Sequence, residues 1–208
     1  MAGTYVQTLT EVQRDALREV ANIGAGHAAT ALSLMTGTKI MVSVPTITVA
    51  RLVELAPSII ATDKSIAVVL MEMSGTIHGQ TILALPLVTA RRLAALVLRR
   101  PATPDEMLDE LERSALTEAA NILAGAYLTA LSEFLQMQLL PSPPSLVLGA
   151  AQQVLLETAQ RAEQQGGYAF CVETQFMIAE MHISLPGYFL LLPDADSVGA
   201  ILTAIRVG

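Results

Sequence analysis

The sequence has no tryptophan, one cysteine and few charged side chains, and each shortage excludes a class of protein. Only 15% of the 208 residues are charged while 52% are hydrophobic, a balance that excludes a disordered chain. The lone Cys171 excludes an internal disulfide and a cysteine-rich zinc site. Aromatic residues make up 4% of the chain and the net charge is −7. We therefore expect no nucleic-acid partner, because stacking platforms and a broad basic surface are both missing.

Long apolar runs are also missing. The longest stretch without charge, residues 134–156, is interrupted by Pro141, Pro143 and Pro144, and other apolar runs are shorter than the roughly 20 residues that a spanning helix needs. Residues 1–15 show neither the basic region nor the apolar core of a secretory signal. We therefore expect no membrane insertion and, with a single cysteine, a cytoplasmic location.

The chain contains an internal duplication at an offset of 99 residues. Residues 15–33, DALREVANIGAGHAATALS, match residues 114–132, SALTEAANILAGAYLTALS, at 12 of 19 positions without gaps. Glu19 corresponds to Glu118 and Asn22 to Asn121. The register persists beyond these helices, because a proline follows each asparagine after 23 residues. The sequence is therefore two copies of one unit.

Hydrophobic periodicity predicts the same order of elements in both copies. After the repeated helix, β-favouring segments occupy residues 39–50, 65–73 and 76–85, and a proline at 86 opens a helix. The second copy offers residues 139–149, 168–177 and 179–192, a polar loop at 160–167 and a helix opened by Pro193.

This order predicts an α+β fold of two α-β-β-β-α repeats with pseudo-two-fold symmetry and an antiparallel sheet packed by helices. Each repeat has about 100 residues, a marginal size for an independent core. We therefore expect one domain over residues 1–208, built from repeats at about 9–100 and 105–206. Residues 100–105 are the predicted link.

A polar stripe runs along the repeated helix. On a helical wheel it contains Asp15, Glu19, Asn22, Gly26, Ala29 and Ser33, and its second copy contains Ser114, Glu118, Asn121, Gly125, Leu128 and Ser132. Asparagine and glycine are both unfavourable inside a helix, yet each occurs in both copies. A solvated helix face is the simplest explanation for one such pair. The recurrence of both unfavourable residues in the second copy instead indicates that another protein or another part of the chain approaches the helix closely.

Other local patterns are weaker. Residues 24–29 match the dinucleotide fingerprint G-x-G-x-x-A, but that motif requires a preceding strand, and a helix already covers the upstream residues. His27, His78 and His182 are scattered, and His27 is not repeated. Cys171 lies in an apolar strand pattern, which is typical of an inert buried thiol. No metal or cofactor site is expected in this chain.

The spacing D/S-x3-E-x2-N-x22-P occurs twice, from Asp15 to Pro45 and from Ser114 to Pro144. It resembles the signature of the CheC/CheX/FliY family of chemotaxis phosphatases, and two complete copies resemble its CheC branch most. The resemblance extends over nearly the whole chain. It implies hydrolysis of the aspartyl phosphate of the response regulator CheY-P, with Mg²⁺ supplied by the phosphorylated receiver.

The same resemblance implies roles for individual residues. Asn22 and Asn121 orient the attacking water, and Glu19 and Glu118 dock the receiver. Residues one turn earlier tune docking, while the two prolines shape the following β segment. The receptor deamidase CheD is a further implied partner, with residues 145–165 as its docking region. The alternative is a non-catalytic module that sequesters CheY-P or regulates CheD.

Overall fold

The order of helices and strands is the same in both halves of the chain. The computed structural model describes residues 10–60, 65–102, 107–165, 168–178 and 182–207. The first repeat contains α1 (Glu11–Thr36), β1 (Ile40–Val42), β2 (Thr46–Arg51), α2 (Leu52–Ile60), β3 (Ser65–Gly75), β4 (Gly79–Pro86) and α3 (Leu87–Val97). The second contains α4 (Glu110–Leu135), β5 (Leu139–Pro141), β6 (Ser145–Ala150), α5 (Ala151–Gln165), β7 (Tyr168–Ile178), β8 (Ile183–Pro193) and α6 (Ala195–Val207).

The eight strands form one antiparallel sheet in which the repeats exchange strands. Hairpin β3–β4 and hairpin β7–β8 meet at the β4–β8 pair in the centre. Strands β1 and β2 of the first repeat then pair with β7 of the second, while β5 and β6 pair with β3. Each repeat therefore supplies the outer strands of the other, and the predicted α+β antiparallel architecture is confirmed.

Helices cover both faces of the sheet. Alternate side chains of β3 point to opposite sides, so that Val69 packs with α1, α3 and α4 whereas Val68 packs with α2 and α5. Helix α6 joins α1 and α4 through a further apolar cluster. Because the central strands β3, β4, β7 and β8 are mostly buried between these helices, the high hydropathy is explained by burial on both faces of the sheet. In the part of the chain that the structure describes, no helix is both long and apolar enough to cross a membrane.

The two 26-residue helices, α1 and α4, begin with the same type of cap. In α1 the Thr10 hydroxyl accepts a hydrogen bond from the backbone N–H of Gln13, and the Gln13 side-chain oxygen accepts one from the backbone N–H of Thr10. In α4 the side chains of Asp109 and Glu112 form the same two bonds. Such a capping box satisfies two backbone donors that the first turn leaves free. The Gln13 side chain also donates to the Leu202 carbonyl of α6 at 3.4 Å. The contact with Leu202 fixes the start of α1 against α6.

Three details of the predicted elements need correction. The first β segment of each repeat is two strands, because Ser43 and Ser142 interrupt the ladder just before Pro45 and Pro144. The short helix α2 and its counterpart α5 then follow β2 and β6 directly. The predicted loop at 160–167 is wrong up to residue 165, since α5 extends to Gln165. Residues 103–105 of the predicted link and 179–181 of the last predicted strand lie outside the described residues.

Candidate functional site

Helix α1 presents Glu19 and Asn22 near its middle, on the side away from the sheet. Glu19 is exposed and Asn22 is half-buried. Opposite them, Leu17, Val20 and Ala28 are buried, because residues three, four and seven apart share one face of a helix. The burial of that apolar face fixes the rotation of α1 and turns Glu19 and Asn22 outward.

Helix α4 presents Glu118 and Asn121 in the same way, and both are exposed. The predicted exposure of the stripe is therefore confirmed at Glu19, Glu118 and Asn121, while Asn22 is half-buried. One member of the second stripe is wrong, since Leu128 is 2% exposed and packs in the apolar cluster with Leu131. At Leu128, α4 contacts the apolar cluster that contains Leu131, whereas the corresponding Ala29 is half-buried.

The glycines of the two helices have different roles. A Cβ built on Gly24 would lie 2.6 Å from Cδ1 and 3.1 Å from Cα of Tyr127, so Gly24 permits the close contact between α1 and α4. A Cβ on Gly26 or Gly125 would meet nothing within 4 Å. These two glycines follow Asn22 and Asn121 by one turn, and the fold itself does not require them to lack a side chain.

The surroundings of the two pairs differ in charge. Beside Glu19, the Arg18 guanidinium contacts Asp15 Oδ1 at 2.9 Å, and both side chains are exposed. At the equivalent place in α4, the Thr117 hydroxyl donates to the Arg113 carbonyl at 2.8 Å. Arg18 is not among the predicted site residues, although Asp-x-x-Arg has the i, i+3 spacing of a helical ion pair and so could have indicated it.

Each pair combines a carboxylate, which only accepts hydrogen bonds, with a carboxamide, which donates and accepts. Their spacing of three residues places them on adjacent turns of one face. Among the described residues, no hydrogen bond or ion pair engages the side chains of Glu19, Asn22, Glu118 or Asn121. Both pairs are therefore available to a partner that places hydrogen-bond donors against the carboxylate and a polar group against the amide.

The weaker sequence patterns do not assemble into a site. The fingerprint at residues 24–29 lies inside α1, where Gly24 serves helix packing. No group of three or more His, Cys, Asp or Glu side chains within the described ranges is arranged to hold a metal ion. Cys171 is buried in the sheet, and burial raises the pKa of its thiol to about 12. It is therefore the inert thiol that its strand pattern predicted.

Comparison with known sequences identifies relatives of both halves. The sequence model described as the CheC-like family matches residues 12–49 and 111–148, which contain the two helices with their Glu/Asn pairs. The CheY-P phosphatase CheC of Bacillus subtilis (strain 168) is 33% identical over 199 residues, which is 95% of either chain.

Solved structures with a similar fold were also found. FliY of Thermotoga maritima superimposes with a TM-score of 0.79 at 25% identity, covering 97% of this chain and 99% of that one. A chain of the CheX–CheY–BeF3–Mg²⁺ complex of Borrelia burgdorferi gives a TM-score of 0.51 at 15% identity, covering 84% and 97%. At that identity the second likeness shows the fold alone.

Proposed function

Because this chain belongs to the CheC-like family, we propose that it is a phosphatase that hydrolyses the aspartyl phosphate of CheY-P in the cytoplasm. The single observation that carries the proposal is the duplicated Glu/Asn pair, which lies on the same solvent-facing side of both long helices. The similarity to a CheY-P phosphatase over 95% of the chain supports the same activity.

Hydrolysis of an aspartyl phosphate needs a water held in line with the scissile phosphorus–oxygen bond. In this proposal the amide of Asn22 or Asn121 orients that water, accepting a hydrogen bond from it and leaving an N–H for a phosphoryl oxygen. Positioning and electrostatics provide most of the catalysis in phosphoryl transfer. The receiver supplies the Mg²⁺ that neutralises phosphate charge. Glu19 or Glu118, on the adjacent turn, pairs with a cation of the receiver and fixes the docking register.

The shape around each pair supports close docking. One turn after Asn22 and Asn121, Gly26 and Gly125 carry no side chain and face open space. On the flank of α1, Ile23 is 39% exposed. A partner surface can therefore lie flat on the helix, contact an exposed aliphatic group and bring its phosphate up to the amide. This use of both glycines explains their retention at an unfavourable helical position.

CheD is the second partner in this proposal, with α5 as its docking element. Helix α5 packs beside α2 on the face of the sheet opposite α1 and α4. Its outer side carries exposed Gln152, Gln153, Leu156 and Glu157. A protein bound there leaves both Glu/Asn pairs accessible, so CheD and CheY-P can bind at the same time.

The test is phosphate release from CheY-P with wild type, Asn22→Ala, Asn121→Ala and the double variant. We expect each single variant to lose part of the activity and the double variant to lose at least 90% of it, since a positioned group contributes about 10²-fold or more. Gln153→Ala, on the far face, is the matched control and retains full activity. All variants replace exposed or half-exposed side chains, so equal melting temperatures confirm folding.

Full activity in the double variant contradicts the assigned chemistry. A CheY-P lifetime that is unchanged by wild type at any concentration, together with measurable binding, favours the sequestering module instead. The same assay with added CheD measures whether α5 is its docking element. A change in rate that disappears in a Leu156→Arg variant supports that assignment, and a change that persists contradicts it.

A further inference from the structure

The two Glu/Asn pairs differ in a neighbouring ion pair, since Asp15 and Arg18 of α1 are replaced by Ser114 and Thr117 in α4. Arg18 lies four residues before Asn22, on the adjacent turn of the same face. Side chains of a helix lean toward its N-terminus, so the Asn22 amide extends over the turn that carries Arg18 and Glu19. At the corresponding place in α4, Thr117 bonds to its own helix backbone at 2.8 Å. At the position one turn before the asparagine, α1 therefore carries a guanidinium and α4 carries a hydroxyl.

The contact that holds Arg18 is easily exchanged. Its partner Asp15 is 72% exposed and Arg18 is 58% exposed, with the two atoms 2.9 Å apart. Exposed ion pairs of this kind contribute little to stability, because water and salt compete for both charges. A phosphoryl group carries more charge and offers several oxygens to a planar guanidinium, so it is the stronger partner for an arginine.

We propose that Arg18 is a substrate-binding residue of the α1 site, which leaves Asp15 and pairs with phosphoryl oxygens of the docked CheY-P. The inference rests on the proposed function. It makes the two sites unequal: the α1 site captures CheY-P at lower concentration and with stronger salt dependence, while the α4 site relies on Glu118 and Asn121 alone. One chain then removes phosphate over a wider range of CheY-P concentration than two identical sites can.

The test uses variants in which one site works at a time. Asn121→Ala leaves the α1 site and Asn22→Ala leaves the α4 site. Phosphate release is measured against CheY-P concentration at about 50 and about 300 mM salt. In the Asn121→Ala background, Arg18→Thr is expected to raise KM about tenfold, as loss of one charge-assisted hydrogen bond does, with kcat within about twofold. Its KM also becomes less dependent on salt. Arg18→Lys keeps the charge and recovers most of the salt dependence.

The converse exchange is the matched control. In the Asn22→Ala background, Thr117→Arg with Ser114→Asp installs the α1 arrangement on α4 and is expected to lower KM and increase its salt dependence. Unchanged KM and salt dependence in the Arg18→Thr variant overturns the inference while leaving the proposed function intact. Full activity in the Asn22→Ala, Asn121→Ala double variant overturns the proposed function itself. Because the exchanged side chains are exposed or half-buried, unaltered melting temperatures are expected throughout.

Discussion

Gly24 and Gly26 of α1 test whether one glycine is needed for helix packing and the other for docking of a partner. Gly24→Ala and Gly26→Ala make the same chemical change two residues apart in one helix. At Gly26 the new methyl group meets nothing within 4 Å. At Gly24 it lies 2.6 Å from the Tyr127 ring and 3.1 Å from its Cα. The ring cannot easily move, because it stacks on Phe189 with centroids 4.8 Å apart.

The expected magnitudes follow from these contacts. Replacing glycine by alanine inside a helix stabilises it by about 1 kcal/mol, and this gain is common to both variants. Overpacking a buried contact costs about 1–3 kcal/mol, and this cost applies only at Gly24. The free energy of unfolding should therefore differ by about 1–3 kcal/mol between the two variants. For a chain of this size each kcal/mol corresponds to about 2–4 °C in melting temperature.

Two assays complete the test. Thermal or urea unfolding should rank Gly26→Ala above wild type and Gly24→Ala below Gly26→Ala. Phosphate release from CheY-P, measured with Asn121→Ala present in every sample, should fall for Gly26→Ala, because its methyl group projects from the surface on which the receiver docks. Equal melting temperatures for the two variants would refute the packing argument. Undiminished activity of a stabilised Gly26→Ala variant would refute the docking argument.

Two further predictions concern pH. Burial raises the pKa of the Cys171 thiol to about 12, from an unfolded value near 9.0. The contribution of the thiol to stability is therefore complete below pH 9 and is lost as pH rises toward 12. In urea unfolding between about pH 8 and 11, Cys171→Ala should lose less free energy of unfolding than wild type, and an equal loss contradicts the assignment. The Glu112 backbone amide and the Arg100 guanidinium lower the pKa of Asp109. The contribution of Asp109 to stability is therefore complete above its unfolded pKa and is lost as pH falls through its folded pKa. Asp109→Asn should make the free energy of unfolding less dependent on pH in acid, and an unchanged dependence contradicts the role of Asp109 as the helix cap.

The polar positions of the site were predictable because they are encoded locally. One helical wheel and one repeat offset were enough to place Glu19, Asn22 and their copies on an exposed face. Leu128 was misassigned because a wheel assumes that the buried face keeps one width along the helix. In the fold, α4 meets the cluster around Leu131 at that point, and this depends on neighbours distant in sequence.

Helix α2 escaped prediction for a different reason. It follows β2 without an intervening turn residue, and Pro57 lies inside its nine residues. Both features argue locally against a helix. Packing decides the outcome, since Leu52, Leu55 and Ile59 fall on one side and fill the space beneath the sheet beside α5. The exchange of outer strands between repeats could not be predicted either, because the pairing partners are more than sixty residues apart in the sequence and leave no periodic pattern.

That exchange sets the order in which the molecule can be assembled. Ile40 of β1 pairs with Ile178 of β7, so the first strands emerge from the ribosome long before their partner is made. Until then β1 and β2 present unpaired backbone edges, which are prone to pair with other chains. Such non-local pairing slows folding. The first repeat thus cannot complete its own sheet during synthesis, and a chain interrupted after α3 lacks the strand against which its outer edge closes.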